Sequence, residues 1–275
     1  MANYTAADVK ALRDKSGAGM MDCKGALDEA DGDIEKAFEV LRLKGLKGVS
    51  KREGRTTTNG LVVSRVAGGK GTLIELACET DFVAKAENFV ALAEEVADAV
   101  VAAGASDVDS ALAAPHGGAT VADAITDKAA IMGEKVELRR VAVVEASGID
   151  AYLHRTSRDL PPQVGVLLGY EGSDSDTAHD IAVHIAAFSP QYLTRDDVPA
   201  DVVAKEREIA EATARDEGKP EAALPKIVEG RVNGFFKETC LFDQDFAKDN
   251  KQSVGKVAEA AGLKLTGFVR FRVGA

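Results

Sequence analysis

The sequence predicts an α+β protein assembled from several parts, and three observations carry that prediction. The first 47 residues hold apolar positions at helical spacing in three short runs separated by glycine-containing turns. Farther on, two pairs of alternating apolar and polar runs are each followed by an amphipathic helix. They lie about 90 residues apart and read as a structural duplication, two similar hairpin-plus-helix subdomains with antiparallel sheets. Between residues 194 and 240 the chain turns charged while its periodicity stays helical, which predicts an inserted antiparallel helical hairpin.

The elements follow in order. Thr5 caps a first helix carrying Val9 and Leu12. A second helix places Cys23, Ala26, Leu27 and Ala30 on one stripe, and a third, after the cap Asp33, places Ile34, Ala37, Phe38 and Leu41 likewise. Gly17-Ala18-Gly19 and Asp31-Gly32 make the two turns, and Met20 and Met21 fall outside the core stripe, as adaptable contact residues or loose packing. This bundle spans 1–47. A basic linker, 48–59, follows within a run holding Arg42, Lys44, Lys47, Lys51, Arg52 and Arg55, which is expected to be solvated surface. Residues 60–145 form a first core subdomain: strands Leu61–Val66 and Thr72–Glu79 joined through residues 67–71, a helix at 86–103, a helix carrying Val121, Ile125 and Met132, and a strand from Val136. The second core subdomain begins at 146–193, with Ile149, Ala151 and Leu153 alternating, then Val164, Val166, Leu168 and Tyr170, then a helix with Ile181 and Ile185. In the 194–240 insertion Val202, Ile209 and Thr213 line one helix, and Pro225 starts the returning helix with Val228, Val232, Phe235 and Phe236. Residues 241–275 return through a helix capped by Ser253 to a last strand.

Composition removes several function classes. The 275 residues are 45% apolar, with no Trp and 5% aromatics, and 34 basic against 45 acidic side chains give a net charge of −11. That balance opposes a general nucleic-acid or anionic-membrane binder. Cys23, Cys78 and Cys240 are scattered and read as buried thiols of a reducing compartment. No signal-peptide pattern opens the chain and no apolar run is long enough to span a bilayer, so a cytoplasmic protein is expected.

The chain is organised around the stretch from Glu75 to Lys85. Ile74, Leu76 and Cys78 alternate with Glu75, Ala77 and Glu79, and the second face is expected to meet solvent. Thr80-Asp81 can cap the following helix. Phe82 and Val83 sit on the corner, where an aromatic can be a staple packed on its own helix or a wedge for a partner. No catalytic constellation emerges. His116, His154, His179 and His184 form no i, i+4 pair and have no cysteine neighbours, so no metal site is expected. The loop at 67–71 is no phosphate loop, because Gly71 follows Lys70 and a strand comes next. Glu75, Glu79 and Asp81 could cluster, but nothing buried is expected near them to raise a pKa.

Leu12 to Leu27, reading LRDKSGAGMMDCKGAL, closely resembles the N-terminal signature of the bacterial translation elongation factor Ts family, and the Glu75–Lys85 stretch resembles its second signature. Ile131-Met132-Gly133-Glu134, Arg139-Arg140, Val228 to Arg231 and Thr266 to Phe271 match further, in the family's order. Ser16 stands where Thr is usual, Gly25 where a basic residue is usual and Ala77 where Asn is usual; the chain also stops soon after its last strand, without the extra C-terminal helix of some members.

The resemblance implies a guanine-nucleotide exchange factor for elongation factor Tu. Such a factor is not an enzyme in the covalent sense; it would bind the GDP-bound and nucleotide-free GTPase with no cofactor of its own, no direct nucleic-acid contact and no membrane. A dimer or a higher assembly of the two factors is left open. The family's bundle docks on the GTPase, which assigns partner binding to Leu12, Met20 and Met21. Its Thr-Asp-Phe-Val motif, associated with dislocating the nucleotide-bound magnesium, falls on Thr80, Asp81, Phe82 and Val83. The second subdomain, in the region of His154, would touch another domain of the GTPase. Two other readings stay open on the residues alone. The bundle is also similar to a ubiquitin-associated (UBA) domain, as in a ubiquitin adaptor, and the basic run could contact RNA.

Overall fold

The structure, a computed structural model, describes residues 3–16 and 18–275, with the backbone alone for Leu46, Lys47, Val49 and Ser50. Gly17 of the first turn and Lys47 of the basic run therefore lie outside the described residues or side chains. The fold is α+β, as the periodicities predict. The chain divides into one unit of Met1–Val143, Leu153–Gly165 and Phe271–Ala275 and a second of Val144–Tyr152 and Val166–Arg270.

The first unit opens with α1 (Ala6–Ser16), α2 (Met20–Glu29) and α3 (Ile34–Arg52). Thr5 and Asp8 cap α1 reciprocally: the Asp8 N–H donates to Thr5 Oγ1 and the Thr5 N–H to Asp8 Oδ2. Asp33 caps α3 by accepting from the Glu35 and Lys36 N–H groups. Leu12, Cys23, Ala26, Leu27, Ala37 and Leu41 fill the bundle core. One expectation needs correction here. The basic segment is helical as far as Arg52, because α3 packs on a later helix and tertiary contact overrides the low propensity of its glycines.

The strands β1 (Asn59–Ala67) and β2 (Lys70–Cys78) pair antiparallel, with Leu61 opposite Leu76 and Ala67 opposite Lys70. The loop is only Gly68-Gly69, shorter than the alternation suggests, and both residues have positive φ (58° and 76°), the requirement of a tight hairpin turn whose twist matches its strands. The one-turn helix α4 (Asp81–Ala84) follows, then α5 (Glu87–Ala103), α6 (Val108–Leu112), the short pair β3 (Pro115–His116) and β4 (Ala119–Thr120), α7 (Val121–Met132) and β5 (Val136–Glu145). β5 joins the free edge of β2, making β2 the central strand. Ile74, Leu76 and Cys78 pack with Phe89, Leu92, Val96 and Val100 of α5 and with Ile125 and Met132 of α7. On the bundle side, α3 crosses α7 so closely that a Cβ on Gly45 would stand 1.9 Å from the Ala130 carbonyl oxygen.

The other face of β2 does not meet solvent. Leu73, Glu75 and Ala77 are all buried; Gly165 backs against Leu73 and Val62, and arginines of β5 stand against Glu75. The burial of a carboxylate is offset by charge. Glu75 Oε2 accepts from Arg140 Nε, and Arg139 stands 3.7 Å from Oε1. Strict alternation marks a half-buried strand, and here both faces are covered.

The second unit also combines a sheet with helices. β6 (Gly148–His154) and β7 (Val164–Glu171) are neighbours, α8 (Ser175–Phe188) follows, and a late strand completes the sheet on the other side of β7. Between them α9 (Ala200–Asp216) and α10 (Leu224–Thr239) pack together across a turn at Gly218. Ala210, Ala214, Leu224 and Val232 are buried along the pair, whereas Ile209 is half exposed. α10 begins one residue before Pro225. The chain returns through β8 (Asp245–Phe246), β9 (Asp249–Ser253), α11 (Val254–Ala260), capped by Ser253, and the completing strand β10 (Lys264–Arg272). Val166, Leu168, Ile181, Ile185, Val254 and Leu265 form this unit's core.

Candidate partner-binding site

The corner between β2 and α5 is built from its backbone outward. Thr80 leaves the strand in extended conformation and caps α4, its Oγ1 accepting the Val83 N–H at 3.4 Å. The same hydroxyl donates to Glu134 Oε1 at 2.6 Å, and the Thr80 N–H donates to Glu134 Oε2 at 3.0 Å. Glu79 in turn accepts the Lys135 N–H at 2.6 Å and pairs with Arg55 at 3.1 Å, while Asn59 Nδ2 donates to the Glu79 carbonyl. Behind the corner, burial pushes the Cys78 thiol up to about 12, with the negative charges of Glu134, Glu79 and Asp81 adding to it and a hydrogen bond with the Thr80 backbone opposing it.

This frame sends neighbouring residues in opposite directions. Val83 and Ala84 enter the core, and Phe82 is 73% exposed. No staple forms. The Phe82 ring instead lies under the Lys85 ammonium, 4.5 Å from the ring centre, and that ammonium also reaches Asp81 Oδ2 at 3.3 Å.

On the bundle, Met20 and Met21 are exposed at the start of α2 and line an open apolar groove of ≈590 Å³ with Tyr4 and Val9, bordered by Lys10, Arg13 and Lys24. Leu12 is wholly buried. It therefore offers no surface for the direct contact expected of it, since its helical stripe points into the bundle core. The bundle is tied to the corner's helix through Asn88 Nδ2, which donates to the Ser16 carbonyl at 3.1 Å, and to α7 through Arg42 and Asp127 at 2.5 Å. His154 is exposed at the end of β6, its carbonyl accepting the Gln163 N–H.

Three side chains of the basic run are paired within the protein, Arg42 with Asp127, Lys44 with Glu29 and Arg55 with Glu79. Among the described residues no group of three or more His, Cys, Asp or Glu side chains could hold a metal ion, and no helix is long and apolar enough to cross a membrane. Sequence reasoning missed Glu134, Lys135, Arg55 and Asn59 as parts of the corner. Glu134 was visible only as a member of a matching stretch, and its partner lies 54 residues away.

An α+β protein that presents an aromatic on a braced corner and a methionine-lined groove has the surface chemistry of a binding factor. Comparison with known proteins identifies the group. The family model described as Elongation factor TS matches residues 79–275. The chain is 63% identical to Elongation factor Ts of Micrococcus luteus and 64% identical to that of Clavibacter michiganensis subsp. michiganensis, in each case over 100% of both chains. Identity to Elongation factor Ts of an Arthrobacter species is 59%, again over both full lengths. The chain belongs to the elongation factor Ts family, whose members serve protein biosynthesis.

Proposed function

We propose that this chain is the guanine-nucleotide exchange factor of elongation factor Tu, binding the GDP-bound GTPase and promoting GDP release so that GTP can enter. The observation that carries the mechanism is the exposed ring of Phe82 on a capped corner, in a chain of this family. Magnesium bridges nucleotide phosphates to a GTPase, and its loss leaves their charge poorly compensated. Phe82 enters the partner as an apolar wedge, displacing the elements that hold the ion. Asp81 competes for their hydrogen-bond donors, while Thr80 and Val83 hold the wedge in place. The bundle docks first, through Met20, Met21 and the groove beside them, with Leu12 supporting that surface; the region of His154 meets another domain of the GTPase. The chain itself makes and breaks no covalent bond.

The magnitudes are consistent with this assignment. A thousandfold faster release requires about 4 kcal/mol off the dissociation barrier. Burying a phenylalanine contributes about 1.5–3 kcal/mol, and a hydrogen bond to a charged group about 1.5–3 kcal/mol. By linkage, nucleotide must weaken factor binding by the factor through which the chain weakens nucleotide binding.

The test is release of fluorescent GDP from elongation factor Tu with the wild-type chain and with Phe82→Ala, Asp81→Ala and Met20→Ala. Strong acceleration by the wild type, cut about tenfold or more by Phe82→Ala, is expected from loss of the buried ring. No acceleration refutes the function. Acceleration untouched by Phe82→Ala and Asp81→Ala refutes the wedge.

A further inference from the structure

A wedge works only if its backbone is held while it is pushed. The helix that carries Phe82 cannot hold itself, because α4 is four residues long, a single turn whose formation alone is unfavourable. The Phe82 ring offers no anchor, being exposed with Lys85 as its ring partner. The pose of the corner must come from elsewhere in the unit.

Two carboxylates supply it from opposite sides. Glu134, at the exit of α7, receives both the N–H and the hydroxyl of Thr80. Glu79, beside Thr80, receives the N–H of Lys135, beside Glu134. Each of two adjacent pairs thus reaches across to the backbone of the other. The Lys135 ammonium closes the arrangement on the Arg55 carbonyl at 3.2 Å, and the Arg55 guanidinium returns to Glu79. Gly133 enables the approach: at φ 76° it ends α7 in the left-handed conformation that turns Glu134 toward β2. The Thr80 hydroxyl proton is committed to Glu134, which leaves an oxygen lone pair for the Val83 N–H. The cap of α4 is therefore oriented by a residue outside its own sequence neighbourhood, through charge-assisted bonds.

We propose that Glu134 and Glu79 form a reciprocal clasp that sets the pose of the Thr80–Val83 corner, with Glu134 a positioning residue for nucleotide exchange that acts through Thr80. The inference rests on the reading of that corner given above. It differs from a general stabilising role in acting on the maximal rate rather than on docking, since the bundle that docks keeps its own core and caps.

Two measurements test it on the full chain. The first is amide hydrogen exchange in wild type, Glu134→Ala and the isosteric Glu134→Gln, which guards against a folding defect in the alanine variant. Exchange of the Val83 and Ala84 amides should rise about tenfold in Glu134→Ala, and less in Glu134→Gln, with the α5 amides unchanged. Unchanged corner amides in both variants overturn the clasp, whatever exchange activity does. The second is GDP release from elongation factor Tu, titrated with each variant. The rate at saturating factor should fall about tenfold in Glu134→Ala, with partial recovery in Glu134→Gln, while the half-saturating concentration moves less than about twofold. Thr80→Val on the Glu134→Ala background should add less than about twofold, the non-additivity of residues acting as one. A loosened corner with an unaltered maximal rate, alongside a damaged Phe82→Ala, overturns the positioning role but not the wedge. Loss of effect in Phe82→Ala and Asp81→Ala as well overturns both.

Discussion

Replacing Gly45 with alanine should destabilise the protein although alanine is the better helix former. Gly45 lies inside α3, where the substitution would ordinarily stabilise by about 0.5–1 kcal/mol. At this position the added methyl would stand 1.9 Å from the Ala130 carbonyl oxygen, 2.3 Å from its carbon and 2.8 Å from its Cα. All three are backbone atoms of α7, so no side chain can swing away, and the helices must part by about 1 Å or more. Overpacking that forces such a backbone shift costs about 1–3 kcal/mol, and the gain in propensity offsets only part of it. Gly25 in α2 is the matched control, with nothing within 4 Å of an added Cβ. Gly25→Ala should stabilise by about 0.5–1 kcal/mol. Urea unfolding measures both, and with a slope of about 1–3 kcal/mol per molar the midpoints should move in opposite directions by some tenths of a molar. A Gly45→Ala protein as stable as Gly25→Ala would refute the close crossing of α3 and α7.

Phe82→Ala should leave stability almost untouched, because the ring's contact with Lys85 at an exposed site contributes about 0.5–1 kcal/mol at most; a large fall in the unfolding midpoint would mean that the ring is packed. His184 is buried with Nδ1 accepting the Ala247 N–H and Nε2 facing Gln244, and burial holds its pKa below 6.5 against the raising effect of Gln244. The unfolded chain then takes the proton first as pH falls, so this contribution is present above pH 6.5 and is lost below it. The unfolding midpoint should drop between about pH 7 and pH 5, and His184→Gln should flatten that drop; an unchanged profile would count against the buried neutral ring. The Cys78 thiol, pushed up to about 12, should resist alkylation at pH 8 in the native protein and react once unfolded, as followed by mass spectrometry of the labelled peptides. Labelling at the rate of a free thiol would show that the corner opens.

Signals that act over three or four residues were legible in the sequence. Thr5, Asp33 and Ser253 cap the helices their spacing announces, Thr80 caps the single turn α4 rather than the longer helix expected after it, and the stripe of Cys23, Ala26 and Leu27 is the core face of α2. Met20, Met21 and Phe82 stood out as apolar residues off their core stripes or at a corner, and they are exposed. At Phe82 spacing alone permitted the staple, and only the geometry decided against it, by spending Val83 on the core.

What the sequence by itself determined is the α+β class, the order of the longer helices and strands and several of the caps that begin them, because each depends on neighbours along the chain. What only the tertiary structure decided is where distant segments meet. Glu75 occupies a polar position of an alternating strand, yet it is buried and two arginines of β5 offset its charge. Glu134 became part of the corner because Gly133 turned it toward Thr80, 54 residues away. Periodicity records whether a position is suited to a face. What covers that face is set by long-range packing, where a buried charge persists only if another segment brings it a partner.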